Sequence, residues 1–303
     1  MRRLDLAAEA EALGAAFSVD TLPGWQAALD RFSVATAGYA EFQVSLPSGR
    51  VSLVTLGSGD SHLACIAAHL RHVDATTEAQ RVFADVRALV PGATWGVKIG
   101  LAGSAAAQVY IKSPLPLDRV LTALERQGVA ATSRQLVTGA ASLLDRAHVH
   151  FLGLDLTPGV PPTFELYFTQ YVVTDGPDDE TGDRVAGLLA AMDIPAAQQT
   201  LFAEFHPRMR HGGQTLWVSI GMTADRPLSS AKVDYAGLGM SDAIRLAEAL
   251  KMPRTAMDGL VYLQSSLGVR SASYVGWRLQ QQPSMSLYFT RRSRTPVPRG
   301  GPG

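Results

Sequence analysis

Basic, phenolic and acidic side chains recur at every second position in widely separated stretches of this chain. Gln108, Tyr110 and Lys112 form one such set, and Glu165 with Tyr167, Lys232 with Asp234, and Ser286 with Tyr288 form others. Lys98, Asp155 and Arg278 occupy matching places a short way upstream of three of these sets, or between them. Ammonium and guanidinium groups hold an anion, most strongly where several converge. Aromatic faces attract a cation. A positioned carboxylate takes a proton from a bound group. A spacing of two puts each set on one face of an extended segment, so this chemistry needs strands that turn those faces toward a common space.

The elements that do so are repeated. TWGVKIGLAGSAAAQVYIKSPL from Thr94, HFLGLDLTPGVPPTFELYFTQY from His150, LWVSIGMTADRPLSSAKVDYAGL from Leu216 and SYVGWRLQQQPSMSLYFTRR from Ser273 share one form: alternating strand, turn, alternating strand. That is a hairpin pattern. A weaker fifth copy, YAEFQVSLPSGRVSLVTL from Tyr39, turns at Pro47, Ser48 and Gly49. Between copies, PLDRVLTALERQGV, DRVAGLLAAMDIP and SDAIRLAEALKMP carry apolar residues at helical spacing. Five hairpins predict ten antiparallel strands, and a sheet of that size curls and closes, which removes its edges.

Alternation assigns two faces. Val97, Ile99, Val109, Ile111, Leu154, Leu156, Phe164, Leu166, Phe168, Val218, Ile220, Val233, Trp277, Leu279, Met285, Leu287 and Phe289 share the apolar face, which must meet the helices. The polar face is then either the solvated side of an open sheet or the lining of a closed barrel. The strand count favours the lumen. Gly96, Gly153, Gly221 and Gly276 share the polar face and predict room for a ligand there.

Composition narrows the alternatives. Lysine plus arginine equals aspartate plus glutamate at 27 each, so no global field draws nucleic acid or an anionic membrane, and neither is expected as a partner. The 47% hydrophobic content is ample for one large core, expected over 1–292, with the basic, Pro/Gly-rich 293–303 as a disordered tail. Cys65, the single cysteine, reads as part of an apolar helix face. The N-terminal segment lacks a signal-peptide h-region and no apolar run approaches the ~20 residues that span a bilayer, so a cytoplasmic location is expected.

The pieces LGLDLTPGVPPTFELYF, GVKI with AAQVYIKSPLPLDRV, and YVGWRL with SLYFTRR carry a resemblance to the ABBA-type (PT-barrel) aromatic prenyltransferases, and within them to the cyanobactin-type peptide enzymes. It extends from about Phe17 to Arg292. The resemblance implies an α+β barrel ringed by helices. It also implies transfer of a dimethylallyl or geranyl group from an allylic diphosphate to an electron-rich peptide side chain, with free tryptophan or another aromatic metabolite as the alternative acceptor and a non-catalytic ligand-binding barrel as a third reading. Under this resemblance Glu41 is the expected base. Arg50, Lys98, Lys112, Lys232 and Arg278 are the expected diphosphate clamp. Tyr110, Tyr167 and Tyr288 are the expected cation shield, or else they fill the barrel. Mg2+ is implied only by likeness to the peptide enzymes. The pattern is also broken: Ala106 and Ser286 stand where the family carries basic residues, and Thr55 stands where an arginine is common.

Other groupings carry less. Lys98 and Asp155 could form a structural ion pair. Asp178, Asp179 and Asp183 lie in a Gly/Pro loop and read as charge before a helix. His62, His69 and His72 read as decoration of one helix, and His206, Arg208, Arg210 and His211 as a solvated turn. Phosphate-binding glycine loops, GxSxG and HExxH are absent from the sequence.

Overall fold

A computed structural model describes residues 3–21, 26, 39–73, 75, 77–90, 92–101, 107–129, 131–156, 162–172, 180–192, 194–211, 214–223 and 230–290. In chain order the elements are α1 (Arg3–Ala16), β1 (Tyr39–Leu46), β2 (Arg50–Gly57), α2 (Asp60–His72), α3 (Thr77–Leu89), β3 (Thr94–Gly100), β4 (Ala107–Pro116), α4 (Leu117–Arg126), α5 (Ala131–Leu143), β5 (His148–Asp155), β6 (Thr163–Val172), α6 (Glu180–Ala191), α7 (Ala196–Met209), β7 (Thr215–Thr223), β8 (Ser230–Ala236), α8 (Met240–Ala249), α9 (Arg254–Ser265), β9 (Tyr274–Leu279) and β10 (Ser284–Thr290).

The ten strands form one closed antiparallel barrel in strict sequence order, with β1 pairing β10 to complete the ring. Each hairpin turns at one end, and the helices connect successive hairpins at the other. Closure therefore gives the lumen a hairpin end and a helix end. The barrel wall is apolar on its outer side because the period-two residues that face the helices are valine, leucine, isoleucine and aromatic: Val97, Val109, Leu154, Leu166, Val218, Val233, Trp277 and Leu287 are all fully buried or within 1% of it. The polar alternates share register rows across neighbouring strands, Lys98 with Gln108 and Asp155, and Lys232 with Ser219 and Arg278. They face inward, as the alternation predicts.

Amphipathy explains the helices. In α4, Leu117, Val120, Leu121 and Leu124 are buried against the wall, Asp118 sits in the first turn, and the helix gives way at Gly128, whose φ of +88° suits glycine. In α8 the stripe is Met240, Ala243, Leu246 and Ala247. Cys65 is partly buried and packs against the core.

Two sequence expectations change here. His206 belongs to α7 rather than to a solvated turn: its ring is buried, stacks on Phe202 at 4.8 Å, and places Nδ1 2.8 Å from the Tyr235 hydroxyl. Tyr235 lies on the outer wall, so this bond ties α7 to β8. Arg208 of that group is exposed beside Glu204, at 3.4 Å. His62 and His69 are likewise buried under α2 rather than decorating its surface, because their side of the helix faces the barrel. Burial, partly offset by a hydrogen bond to the Trp95 backbone, lowers the pKa of His62 and keeps it neutral. Tyr235→Phe is expected to destabilise the fold by about 1–3 kcal/mol, the cost of removing one partner of a buried hydrogen bond, measured by denaturant unfolding with unchanged m-value. A midpoint equal to that of the wild type would show the bond to be idle.

Among the described residues no helix is long and apolar enough to cross a membrane. Residues 293–303, Asp178, Asp179 and Ala106 lie outside the described residues.

Candidate active site

Inward-facing side chains divide the lumen into two chambers. The larger, at the helix end, has a volume of about 680 Å³ and is lined by Glu41, Tyr110, Lys112, Phe151, Tyr167, Trp217, Lys232, Asp234, Tyr274 and Tyr288, with Gly57, Ser58 and Thr94 at its mouth. The smaller, about 300 Å³ at the hairpin end, is lined by polar groups including Gln108, Asp155, Glu165, Ser230 and Arg278. A third hollow of about 600 Å³ lies outside the barrel between α2 and α3 over Trp95 and holds none of the lumen groups.

Aromatic faces dominate the larger chamber, and cations already lie on them. The Lys112 ammonium is 5.2 Å above the Phe151 ring, and that of Lys232 is 5.0 Å from the Tyr288 ring and 5.8 Å from that of Tyr167. Phe151 meets Trp217 and Tyr167 edge to face at 5.1 and 5.9 Å, and Tyr274 meets Tyr288 at 6.5 Å. The quadrupole that attracts ammonium would equally cover a carbocation. Burial, foremost, and nearby carboxylates raise all three lumen tyrosines well above their ordinary pKa, so they remain neutral phenols.

Between the chambers runs a belt of buried charge. Arg278 Nη2 is 2.7 Å from Glu165 Oε1, which also accepts from Ser219 Oγ at 2.8 Å, while Arg278 Nη1 donates to Ser230 Oγ at 2.9 Å. Lys232 Nζ is 2.6 Å from Asp234 Oδ1 and donates to the Tyr288 hydroxyl at 2.7 Å. Burial pushes the Glu165 pKa upward, but Arg278, Lys232 and two hydrogen bonds outweigh it and hold the carboxyl at about 2. Arg278 is correspondingly raised despite its burial. Lys98 is lowered to about 8 by burial and by the neighbouring Lys232, with Asp155 opposing. Gln108 stands between Lys98 and Asp155 in the register, donating to Asp155 at 2.8 Å and accepting from Tyr110 at 2.9 Å.

Of the residues singled out in the sequence, Glu41, Lys112, Lys232, Tyr110, Tyr167 and Tyr288 meet in the larger chamber, and Arg278 lines the smaller. Lys98 is half-buried in the row between Val54 and Gln108. Arg50 is not brought to them: it begins β2 opposite Ser45, exposed at the hairpin end, and lines neither chamber. Thr55 points outward in the row of Ala40 and Val97, so no basic group is missing from the lumen there. Ser286 accepts from Gln43 Nε2 at 2.9 Å.

The lumen glycines do not simply leave space. A Cβ on Gly96 would stand 2.5 Å from Leu56 Cδ2, and one on Gly153 would sit 3.6 Å from the Tyr110 ring, so neighbouring side chains use that room. Phe151, Trp217 and Tyr274 were not foreseen, although each lies two residues toward the helix end from an assigned lumen residue (Gly153, Ser219 and Gly276), so the same alternation reaches them.

Solved structures share this architecture. The chain matches a 6-dimethylallyl tryptophan synthase over 94% of each chain with a TM-score of 0.66 at 17% identity. It matches the 5-dimethylallyl tryptophan synthase of Streptomyces coelicolor, solved in complex with DMASPP and Trp, over 92% of this chain and 91% of that one with a TM-score of 0.62 at 17% identity. The fold is the ABBA prenyltransferase barrel. NotF prenyltransferase shares the ABBA barrel at a TM-score of 0.60 and 10% identity, over 83% of this chain and 80% of that one. No family model and no curated protein sequence matches the chain.

The donor set of this ABBA barrel does not fit a protein-held magnesium ion. Among the described residues no three His, Cys, Asp or Glu side chains converge. Glu165 is engaged by Arg278, Asp234 by Lys232 and Asp155 by Gln108, whereas Mg2+ needs near-octahedral oxygen ligation.

Proposed function

We propose that the lumen transfers a prenyl group from an allylic diphosphate to the aromatic ring of an acceptor. The observation that carries this reading is the larger chamber: lysine ammoniums resting on aromatic faces beside Glu41, inside an ABBA barrel. Lys112 and Lys232 would hold the diphosphate as its C–O bond breaks, with Lys98 and Arg278 nearest on the hairpin side. Tyr110, Tyr167, Tyr288, Phe151 and Trp217 would cover the allyl cation and exclude water. A ring carbon of the acceptor attacks, a C–C bond forms, and the displaced ring proton passes to the Glu41 carboxylate.

The acceptor enters at the helix end, past Gly57, Ser58 and Thr94. The Streptomyces coelicolor structure with DMASPP and Trp supports a dimethylallyl donor and a free indole amino acid. The sequence pieces support a peptide side chain. Incubation with dimethylallyl and geranyl diphosphate, each against tryptophan, simple indoles and Trp- or Tyr-containing peptides, separates them by which acceptor gains one prenyl mass. Donor binding without mass gain in any pairing would leave a ligand-binding barrel and end the enzyme reading.

The lowered Lys98 pKa gives this reading a pH signature. An anion binds the ammonium form, so affinity for a non-reacting thiolodiphosphate donor, taken relative to that of Lys98→Arg at each pH, should be constant below about pH 7 and fall as pH rises through about 8. The expected loss is roughly tenfold, the worth of one charge-assisted contact. Arginine stays charged throughout that range, so a wild-type to variant ratio that stays constant through pH 8 would exclude Lys98 as the source.

A further inference from the structure

Lys232 and Asp234 project from the same face of β8 and are nearly sealed from solvent, with 3% and 5% of their surfaces exposed. They lie across Gly276 of β9. A Cβ there would stand 2.3 Å from Asp234 Oδ1 and 2.5 Å from Lys232 Cε, so glycine lets the ion pair rest against the wall. On the lumen face of the described strands, Lys98, Lys112, Lys232 and Arg278 are balanced by Glu41, Asp155, Glu165 and Asp234. Of these cations Lys232 and Arg278 already hold carboxylates, so an incoming diphosphate meets both of them paired.

The Lys232 ammonium has three donors, two of them taken by Asp234 and the Tyr288 hydroxyl, so full engagement of a diphosphate draws it from Asp234. The groups that face Asp234 are Arg278 and Tyr274 of β9, Glu165 and Tyr167 of β6, Tyr288 of β10 and Glu41 of β1, while β7 presents Trp217 and Ser219. Of the other cations, Arg278 is held by Glu165 at 2.7 Å, and Lys112 of β4, which lines the same chamber, lies over the Phe151 ring. A carboxylate this buried that loses its cation is costly to keep ionised, and neutralisation is the cheaper course. Burial already raises the Asp234 pKa against the opposing pull of Lys232.

We propose that Asp234 is the proton-accepting counterpart of donor binding: when an allylic diphosphate takes the Lys232 ammonium, the Asp234 carboxylate takes one proton from solvent and becomes neutral. Lys232 stays charged, and the site gains the anion and a proton together. This rests on the donor reading above.

The test is calorimetric titration of the full chain with dimethylallyl thiolodiphosphate, without acceptor, near pH 7 in three buffers of different ionisation enthalpy. Lys98, titrating at about 8, supplies only about a tenth of a proton at that pH. The ligand's own ionisation is common to all proteins compared and cancels between them. Asp234→Asn keeps the shape and removes the titration. It should take up about one proton fewer per anion than the wild type, and bind roughly tenfold more tightly because Lys232 is released. Equal proton uptake in the two proteins overturns the assignment. In the wild type alone, with ligand ionisation measured separately, uptake below about a third of a proton overturns it without any variant. Absence of binding heat in every buffer would instead overturn the donor reading, and this assignment with it.

Discussion

Glu41→Gln is expected to lower the rate of prenyl transfer by about 10²–10⁴-fold, the usual worth of a positioned general base, while the protein folds normally. Glu41 sits in β1 opposite Val54, lines the larger chamber and is close enough to Tyr288 to disfavour its ionisation. Glutamine preserves the side chain's shape and its capacity to orient an N–H or O–H donor, but it accepts no proton from the prenylated ring. The loss should therefore fall on the chemical step in single-turnover experiments, with donor affinity nearly unchanged, since the lysines are untouched. Full activity in this variant would remove Glu41 as the base.

Arg278→Met is expected to destabilise the barrel by about 3 kcal/mol, the lower end of the cost of breaking a buried ion pair, or roughly 5–10 °C in Tm for a chain of this size. Glu165 and Arg278 expose only 18% and 27% of their side chains, so solvent cannot replace the missing partner. Glu165→Gln in the same chain should restore most of the loss, because an amide needs no counter-charge. The pH dependence provides an independent check. Glu165 has a folded-state pKa of about 2, below its unfolded value of ~4.5, so its contribution is present above pH ~4.5 and is lost as pH falls toward 2. Arg278→Met should flatten the acid limb of the stability curve between about pH 5 and 3. A single variant as stable as the wild type, with the acid limb unchanged, would show that the pair does not support the fold.

Local periodicity made much of the architecture legible. Alternation in GVKI, QVYIK, ELYF and SLYF assigns a face to each side chain because an extended backbone permits no other arrangement, and the wall residues named from it are buried, except Phe289 near the end of β10, which is partly buried. Five copies of the hairpin implied ten strands, and pairing of β1 with β10 is how such a sheet closes. His206 was misjudged for a related reason. Its neighbours Arg208, Arg210 and His211 look solvated, yet helical period turns residue 206 alone toward Phe202 and Tyr235.

Partnership was not legible. Lys98 and Asp155 invited pairing by their equivalent positions, but the register inserts Gln108 between them. Lys232 and Arg278 read as free cations, whereas Asp234, two residues along β8, and Glu165, on the non-adjacent strand β6, are set against them. The room at Gly276 read as space for a ligand until the ion pair was found lying over it.

By itself, then, the sequence determined which elements form and which side of each strand is polar, since both follow from spacing along one strand or helix. Only the tertiary structure decided how far each strand slides past its neighbour. That stagger chooses which lumen residues share a level. It divides the polar face into an aromatic chamber and a charged belt, leaves Arg50 at the rim, and gives Arg278 the Glu165 carboxylate as its companion.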